Sequence, residues 1–235
     1  MFKIFFILLI IIFFIWIKTS KIHVDWKSLI LPGFSKYDND FGLFCYCGKQ
    51  GKGKTYSAIQ FLIKQKQKHD YKIITNVKSF DVFDDTVYEP DILKIIDYCK
   101  SFDDNKANII IFYDEIFTIL EKKTAINSDI LSFISQLRKR HIIFITTAQE
   151  WSEINITFRR YCRYQIDCNM FSLPFVHRAF IFNVINDGDL IKWDNDSQEF
   201  VAPRISANFA KCNRYVVESY DTYETIQTPE RSKKR

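Results

Sequence analysis

The stretch Gly48-Lys49-Gln50-Gly51-Lys52-Gly53-Lys54-Thr55 holds three of the six glycines in a 235-residue chain, all within six positions. It fits G-x-x-x-x-G-K-[ST], the P-loop pattern. Glycines there let backbone N–H groups turn inward around phosphate oxygens, and the helix that follows adds the positive end of its dipole. The stretch stands between a short apolar run, Phe41 to Cys47, and an amphipathic stretch, Thr55 to Lys68. That is the strand–loop–helix setting the pattern requires. The reading is a nucleoside triphosphate site in which Lys54 reaches the β- and γ-phosphates and the Thr55 hydroxyl ligates Mg²⁺. A glycine-rich turn without chemistry is the bland alternative.

The rest of the chain supplies a suitable scaffold. "KIITNV", Lys72 to Val77, reads as a second strand, and Asp91 to Cys99 as a short helix entered just after Pro90. "NIIIFYDE", Asn108 to Glu115, is a continuous apolar run that ends in two acids, as expected of a central parallel strand covered on both faces. A helix is predicted over Ser128 to Arg140, and another buried strand over His141 to Gln149. Alternating strands and helices imply right-handed βαβ units. Beyond Tyr161 the pattern turns to strands, "RYQIDCN", "RAFIFNVI" and "LIKWD", with "NDG" at Asn186 to Gly188 as a hairpin turn signal.

Two carboxylates beside apolar residues are costly unless a cation neutralises them. Asp114 at the strand end is placed to hold Mg²⁺ and Glu115 to polarise an attacking water. Glu115 would equally suit the first turn of a following helix. Gln149, at the end of "ITTAQ", can touch both γ-phosphate and water, or be an ordinary loop residue. Arg138, Lys139, Arg140, Arg159, Arg160 and Arg163 form a basic cluster from which an arginine finger could come, in cis or from a neighbouring subunit. A solvated helix face explains the same charges.

At the amino terminus, Ile4 to Ile17 contains no polar residue. With Met1 and Phe2 the apolar run reaches 17 residues, interrupted only by Lys3. Roughly 25 Å of helix is expected to serve as a single-pass anchor. The absence of a small-x-small cleavage site disfavours a signal peptide. Lys18, Lys21 and Lys27 after the span put the body on the cytoplasmic side of the membrane. Six cysteines without CxxC spacing, and four scattered histidines, give no support to a zinc site or metal-centred hydrolysis. No N/T-K-x-D motif is present, which excludes the usual GTPase base reader. A net charge of +5 permits a polyanionic partner without demanding one.

Taken together, "GKQGKGKT", "IITNV", "IIIFYDE", "RKRH" and "IIFITTAQ" resemble the FtsK–HerA-like branch of P-loop ATPases. They are similar above all to the zonular occludens toxin (Zot)-like morphogenesis proteins of filamentous phages and to viral genome-packaging ATPases. "YDTYE", Tyr220 to Glu224, also resembles a tail segment of such proteins. The resemblance implies ATP as nucleotide, an oligomer or ring, and DNA and phage or virus assembly proteins as partners. It also implies work on DNA movement or virion assembly, with Asp114, Glu115 and Gln149 as the acidic pair and sensor. The arginine finger would come from Arg138 and Arg140 or from Arg159 and Arg160. An ATP-dependent assembly factor that does not itself move DNA is the alternative. A span before the ATPase domain departs from the Zot-like order, in which it follows. The expected organisation is an anchor over 1–20, a connector over 21–40, an ATPase domain over 41–225 that is β-rich from about 161, and a basic tail over 226–235. The fold class is α/β: a P-loop NTPase with a mainly parallel sheet flanked by helices, a C-terminal β-hairpin extension and an N-terminal transmembrane helix.

Overall fold

The computed structural model describes residues 2–20, 22–24, 41–80, 83–102, 108–116, 126–173, 178–190, 192–195 and 198–221. The predicted basic tail and most of the connector lie outside these residues.

Helix α1 (Phe2–Thr19) leads to strand β1 (Ile22–Val24). The core then runs β2 (Gly42–Cys47), α2 (Lys54–Lys68), β3 (Lys72–Thr75), β4 (Val87–Tyr88), α3 (Ile92–Lys100), β5 (Ile109–Tyr113), α4 (Ser128–Gln136) and β6 (Ile142–Ala148). It continues with α5 (Ile156–Tyr161), β7 (Cys162–Leu173), β8 (Arg178–Asp187), β9 (Lys192–Asp194), β10 (Glu199–Val201), β11 (Arg204–Lys211) and α6 (Arg214–Glu218). Among the described residues nine strands form one sheet in the order β1-β11-β8-β7-β2-β6-β5-β3-β4, and β9 pairs with β10 separately.

From β4 to β7 every neighbour is parallel. The reason is visible in the apolar runs of the three central strands: β2, β6 and β5 are buried on both faces along their whole length. In β2, Phe44 and Tyr46 join the core beneath α2, whereas Leu43, Cys45 and Cys47 join the core beneath α3 and α4. In β5, Ile110 and Phe112 face the first core and Ile109, Ile111 and Tyr113 the second. β6 lies between β2 and β5, so the carboxyl end of β6 stands between those of the P-loop strand and the acidic strand. The six cysteines are free, and all but Cys212 are buried.

β7, β8 and β11 are antiparallel neighbours and form the β-rich extension. The hairpin turn is not at "NDG". β8 runs through Asn186 and Asp187, which pair with Gln165 and Tyr164 of β7. Gly188 opens a short 3-10 turn that presses on the start of β7: a Cβ there would lie 1.8 Å from the Cys162 carbonyl oxygen. The glycine therefore marks a close approach rather than a turn between strands. The predicted helix over Ser128 to Arg140 stops at Gln136, and His141, at φ +54°, breaks the path into β6.

The amino terminus also departs from expectation. Among the described residues no helix is long and apolar enough to cross a membrane. In α1 the uninterrupted apolar run from Ile4 to Ile17 gives about 21 Å of helix, short of the ~30 Å hydrocarbon core, with Lys3 and Lys18 at its ends. This overturns the single-pass anchor and, with it, the membrane location and the membrane partner inferred from it. The side chains from Phe6 to Trp16 are exposed. Beyond α1, β1 pairs in parallel with β11, so part of the supposed connector extends the sheet.

Candidate functional site

The loop between β2 and α2 is held at its start. The Gly48 N–H donates to the Ala148 and Gln149 carbonyls at 3.3 and 3.2 Å, which ties the loop to the end of β6. At its other end Gly53 caps α2 with φ +79°, and a Cβ there would meet Met170 Cε at 2.8 Å. The left-handed backbone favours glycine at this point, and any side chain would also have to displace Met170. Gln50, Gly51, Gly53, Lys54 and Thr55 line a cleft of about 450 Å³ that also exposes Asp114 and Glu115. Lys49 and Lys52 are exposed on the rim, where Lys52 Nζ donates to Asn169 Oδ1 at 3.2 Å.

Asp114, 8% exposed, is clamped from three sides, by the segment just past β3, by β6 and by α2. Its backbone N–H donates to Asn76 Oδ1 at 2.8 Å, and Asn76 Nδ2 returns a bond to its carbonyl at 3.0 Å. Its carboxylate accepts from Thr147 Oγ1 of β6 and, at 3.3 Å, from Thr55 Oγ1 of α2. Burial pushes the Asp114 carboxyl up to about 6, and the charge of Glu115 adds to this. The Thr147 and Thr55 hydroxyls and the Lys54 ammonium oppose the shift. The site therefore gathers hard oxygen donors around a carboxylate that burial penalises, which suits a hard divalent cation. Among the described residues no three His, Cys, Asp or Glu side chains cluster as metal ligands. Mg²⁺ does not need such a cluster, since it keeps several waters and takes only one or two protein ligands. Thr55 and Asp114 are the residues that would hold it.

Glu115 is not in a described helix. It stands in a turn at φ +56°, half-buried, with its N–H donating to Thr147 Oγ1 at 2.9 Å. A non-glycine residue in this conformation is strained, and such residues concentrate at functional sites. Gln149 follows β6, exposed, with its carbonyl bonded to the P-loop.

The arginines sit elsewhere. Arg138 makes a two-pronged ion pair with Asp189 at 2.6 and 2.7 Å and packs beside Gly42, at the amino end of β2. Arg140 donates from Nε to Gln136 Oε1 at 3.3 Å, just before β6 begins. Arg159 is buried, with its guanidinium 5.9 Å from the Trp151 ring centre. Arg160 is exposed in the last turn of α5, which feeds the amino end of β7. In parallel strands that end is opposite the P-loop, which keeps Arg138, Arg140 and Arg160 away from it, and none of the four arginines lines the cleft.

Sequence reasoning missed two sets of site residues. Asn76 and Thr147 were visible only as parts of "IITNV" and "ITTAQ", without a role. Val217, Tyr220 and Asp221 line the cleft from the far end of the chain, and only the "YDTYE" fragment hinted at them.

No curated protein sequence matches the chain. Among solved structures, the N-terminal domain of zonular occludens toxin from Neisseria meningitidis superposes with a TM-score of 0.50 at 13% identity. That match covers 77% of this chain and all of the other, and it shows a shared fold. The genome-packaging NTPase B204 of Sulfolobus turreted icosahedral virus 2, solved with ATP-gammaS, gives a TM-score of 0.49 at 15% identity. It covers 72% of this chain and all of its own. The family model for zonular occludens toxin (Zot) matches residues 43–194, from the second residue of β2 to the end of β9. With well over half its length matched by that model, the chain belongs to the Zot family.

Proposed function

We propose that this chain is an ATPase that uses hydrolysis to drive DNA movement during packaging, assembly or export of a phage or virus. The observation that carries the reading is the meeting of Lys54, Thr55 and Asp114 at the mouth of a glycine loop that opens a helix. That arrangement suits a nucleoside triphosphate and little else. Family membership and the motif resemblance to packaging ATPases support the link to DNA and virion assembly.

In this reading the loop N–H groups and Lys54 bind the phosphates. Thr55 and Asp114 hold Mg²⁺, which neutralises phosphate charge when bound. Glu115 orients and polarises the water that attacks the γ-phosphorus, whose bond to the ADP oxygen then breaks. Gln149 does not line the cleft itself, but its backbone is tied to the loop, and in this reading it is the sensor of the γ-phosphate. The chain works as an oligomer, a ring being the simplest form. Arg160, exposed and remote from its own P-loop, is offered to a neighbouring site.

ATP turnover measured alone and with single- and double-stranded DNA tests the proposal. Stimulation by either DNA is expected. Full turnover that no DNA changes would favour an assembly factor that remodels protein without moving DNA.

A further inference from the structure

Residues 213–221 form a strap across the cleft. It starts at Asn213, whose N–H donates to Tyr56 Oη at 2.6 Å, in the first turn of α2. Asn213 also caps α6 by accepting from the Tyr215 N–H at 3.0 Å. α6 packs on α2 and buries Val216 in the core beneath it. The Ser219 hydroxyl closes the helix on the Val216 carbonyl at 2.7 Å. The strap then reaches the other side of the site, where the Asp221 N–H donates to Ser79 Oγ at 3.0 Å, just past Asn76 and Val77. Between these two ties Val217 and Tyr220 line the same cleft as Lys54, Thr55, Asp114 and Glu115. The whole strap lies beyond the residues that the family model matches.

We propose that Tyr220 is a nucleotide-contacting residue whose phenol donates a hydrogen bond to a terminal phosphate oxygen of the bound nucleoside triphosphate. The proposal rests on the reading of the cleft as a nucleoside triphosphate site. Tyr220 lines the cleft together with Lys54, Thr55 and Asp114, and the tie from Asp221 to Ser79 fixes the strap beside the segment that follows β3, which pairs with β5 and its terminal acids. The ring is packed against the core beneath α2, so its position is set before a ligand arrives. Burial raises the phenol above its ordinary range, and the Asp114 carboxylate is the charge that raises it most. A phenol in that environment stays protonated at working pH, which leaves it a donor. A donor beside the γ-phosphate reads the difference between triphosphate and diphosphate, and a bond to a charged acceptor is the strong kind.

The test compares the wild-type chain with Tyr220→Phe, which keeps the ring and its packing and removes only the O–H. Binding of ADP and of a non-hydrolysable ATP analogue is measured with Mg²⁺, together with the melting temperature of each protein. The expected result is a loss of roughly tenfold or more in affinity for the analogue, with ADP affinity changed by less than about twofold. The melting temperature should stay within about 3 °C. Equal losses for both nucleotides, or no loss for the analogue, would overturn the role given to Tyr220 while leaving the cleft reading intact. A wild-type chain that binds neither nucleotide would overturn the cleft reading and this proposal together.

Discussion

Thr55 Oγ1 lies 3.3 Å from Asp114 Oδ2, which joins the first turn of α2 to the end of β5 across the mouth of the cleft. The two residues are 59 positions apart, and their meeting makes one oxygen-rich site out of two separate motifs.

The carboxyl of Asp114 gives that site a pH signature. Its pKa rises from 3.8 to about 6 on folding, chiefly through burial. The folded state therefore holds this proton more tightly, so stability from this group is greatest below the unfolded value and is lost as pH rises through about 6. Without nucleotide or metal, Asp114→Asn should be more stable than wild type at pH 8, by up to about 3 kcal/mol. The advantage should disappear near pH 4. Denaturant unfolding at both values measures it, and an unchanged difference would refute the buried-charge account.

Asn76 should prove essential to the clamp. Its amide is buried and bonds both the N–H and the carbonyl of Asp114. Asn76→Ala leaves both backbone groups without a protein partner and should cost about 2–4 kcal/mol of stability. Nucleotide binding should fall as well, because the carboxylate loses its fixed position. Equilibrium unfolding and nucleotide titration of the same variant check the two effects.

Local features were the legible ones. The P-loop and Asp114 could be read because glycine spacing, and an acid ending an apolar strand, are patterns within a dozen residues. The parallel core followed from the apolar runs of β2, β5 and β6. Asn76 and Thr147 were not legible, since they reach the Asp114 segment from 38 and 33 positions away and no short pattern encodes that. The strap was further out of reach, with Asn213 meeting Tyr56 across 157 positions. At Gly188 and in α1 a local rule misled. "NDG" is a turn signal only where strands are free to turn there, and apolarity alone does not give α1 the length of a span.

The arginines call for a mixing experiment. Arg159 is buried, so its removal would confuse catalysis with folding. Arg160 is exposed and makes the cleaner variant. Arg160→Ala should be inactive alone yet recover partial turnover when mixed with Lys54→Ala, which lacks a working P-loop but can donate the finger. No recovery in oligomers shown to exchange subunits would assign Arg160 a role within its own chain.

In the proposed function ATP is bound and hydrolysed between the P-loop and the Asp114-Glu115 turn. The most direct measurement is phosphate release from ATP with Mg²⁺, alongside ATP binding, for wild type, Lys54→Ala and Glu115→Gln. Turnover is expected in the wild type, loss of binding in Lys54→Ala, and retained binding in Glu115→Gln with turnover reduced about a hundredfold or more. Wild-type protein that binds ATP without releasing phosphate, or Glu115→Gln at near-normal turnover, would contradict it.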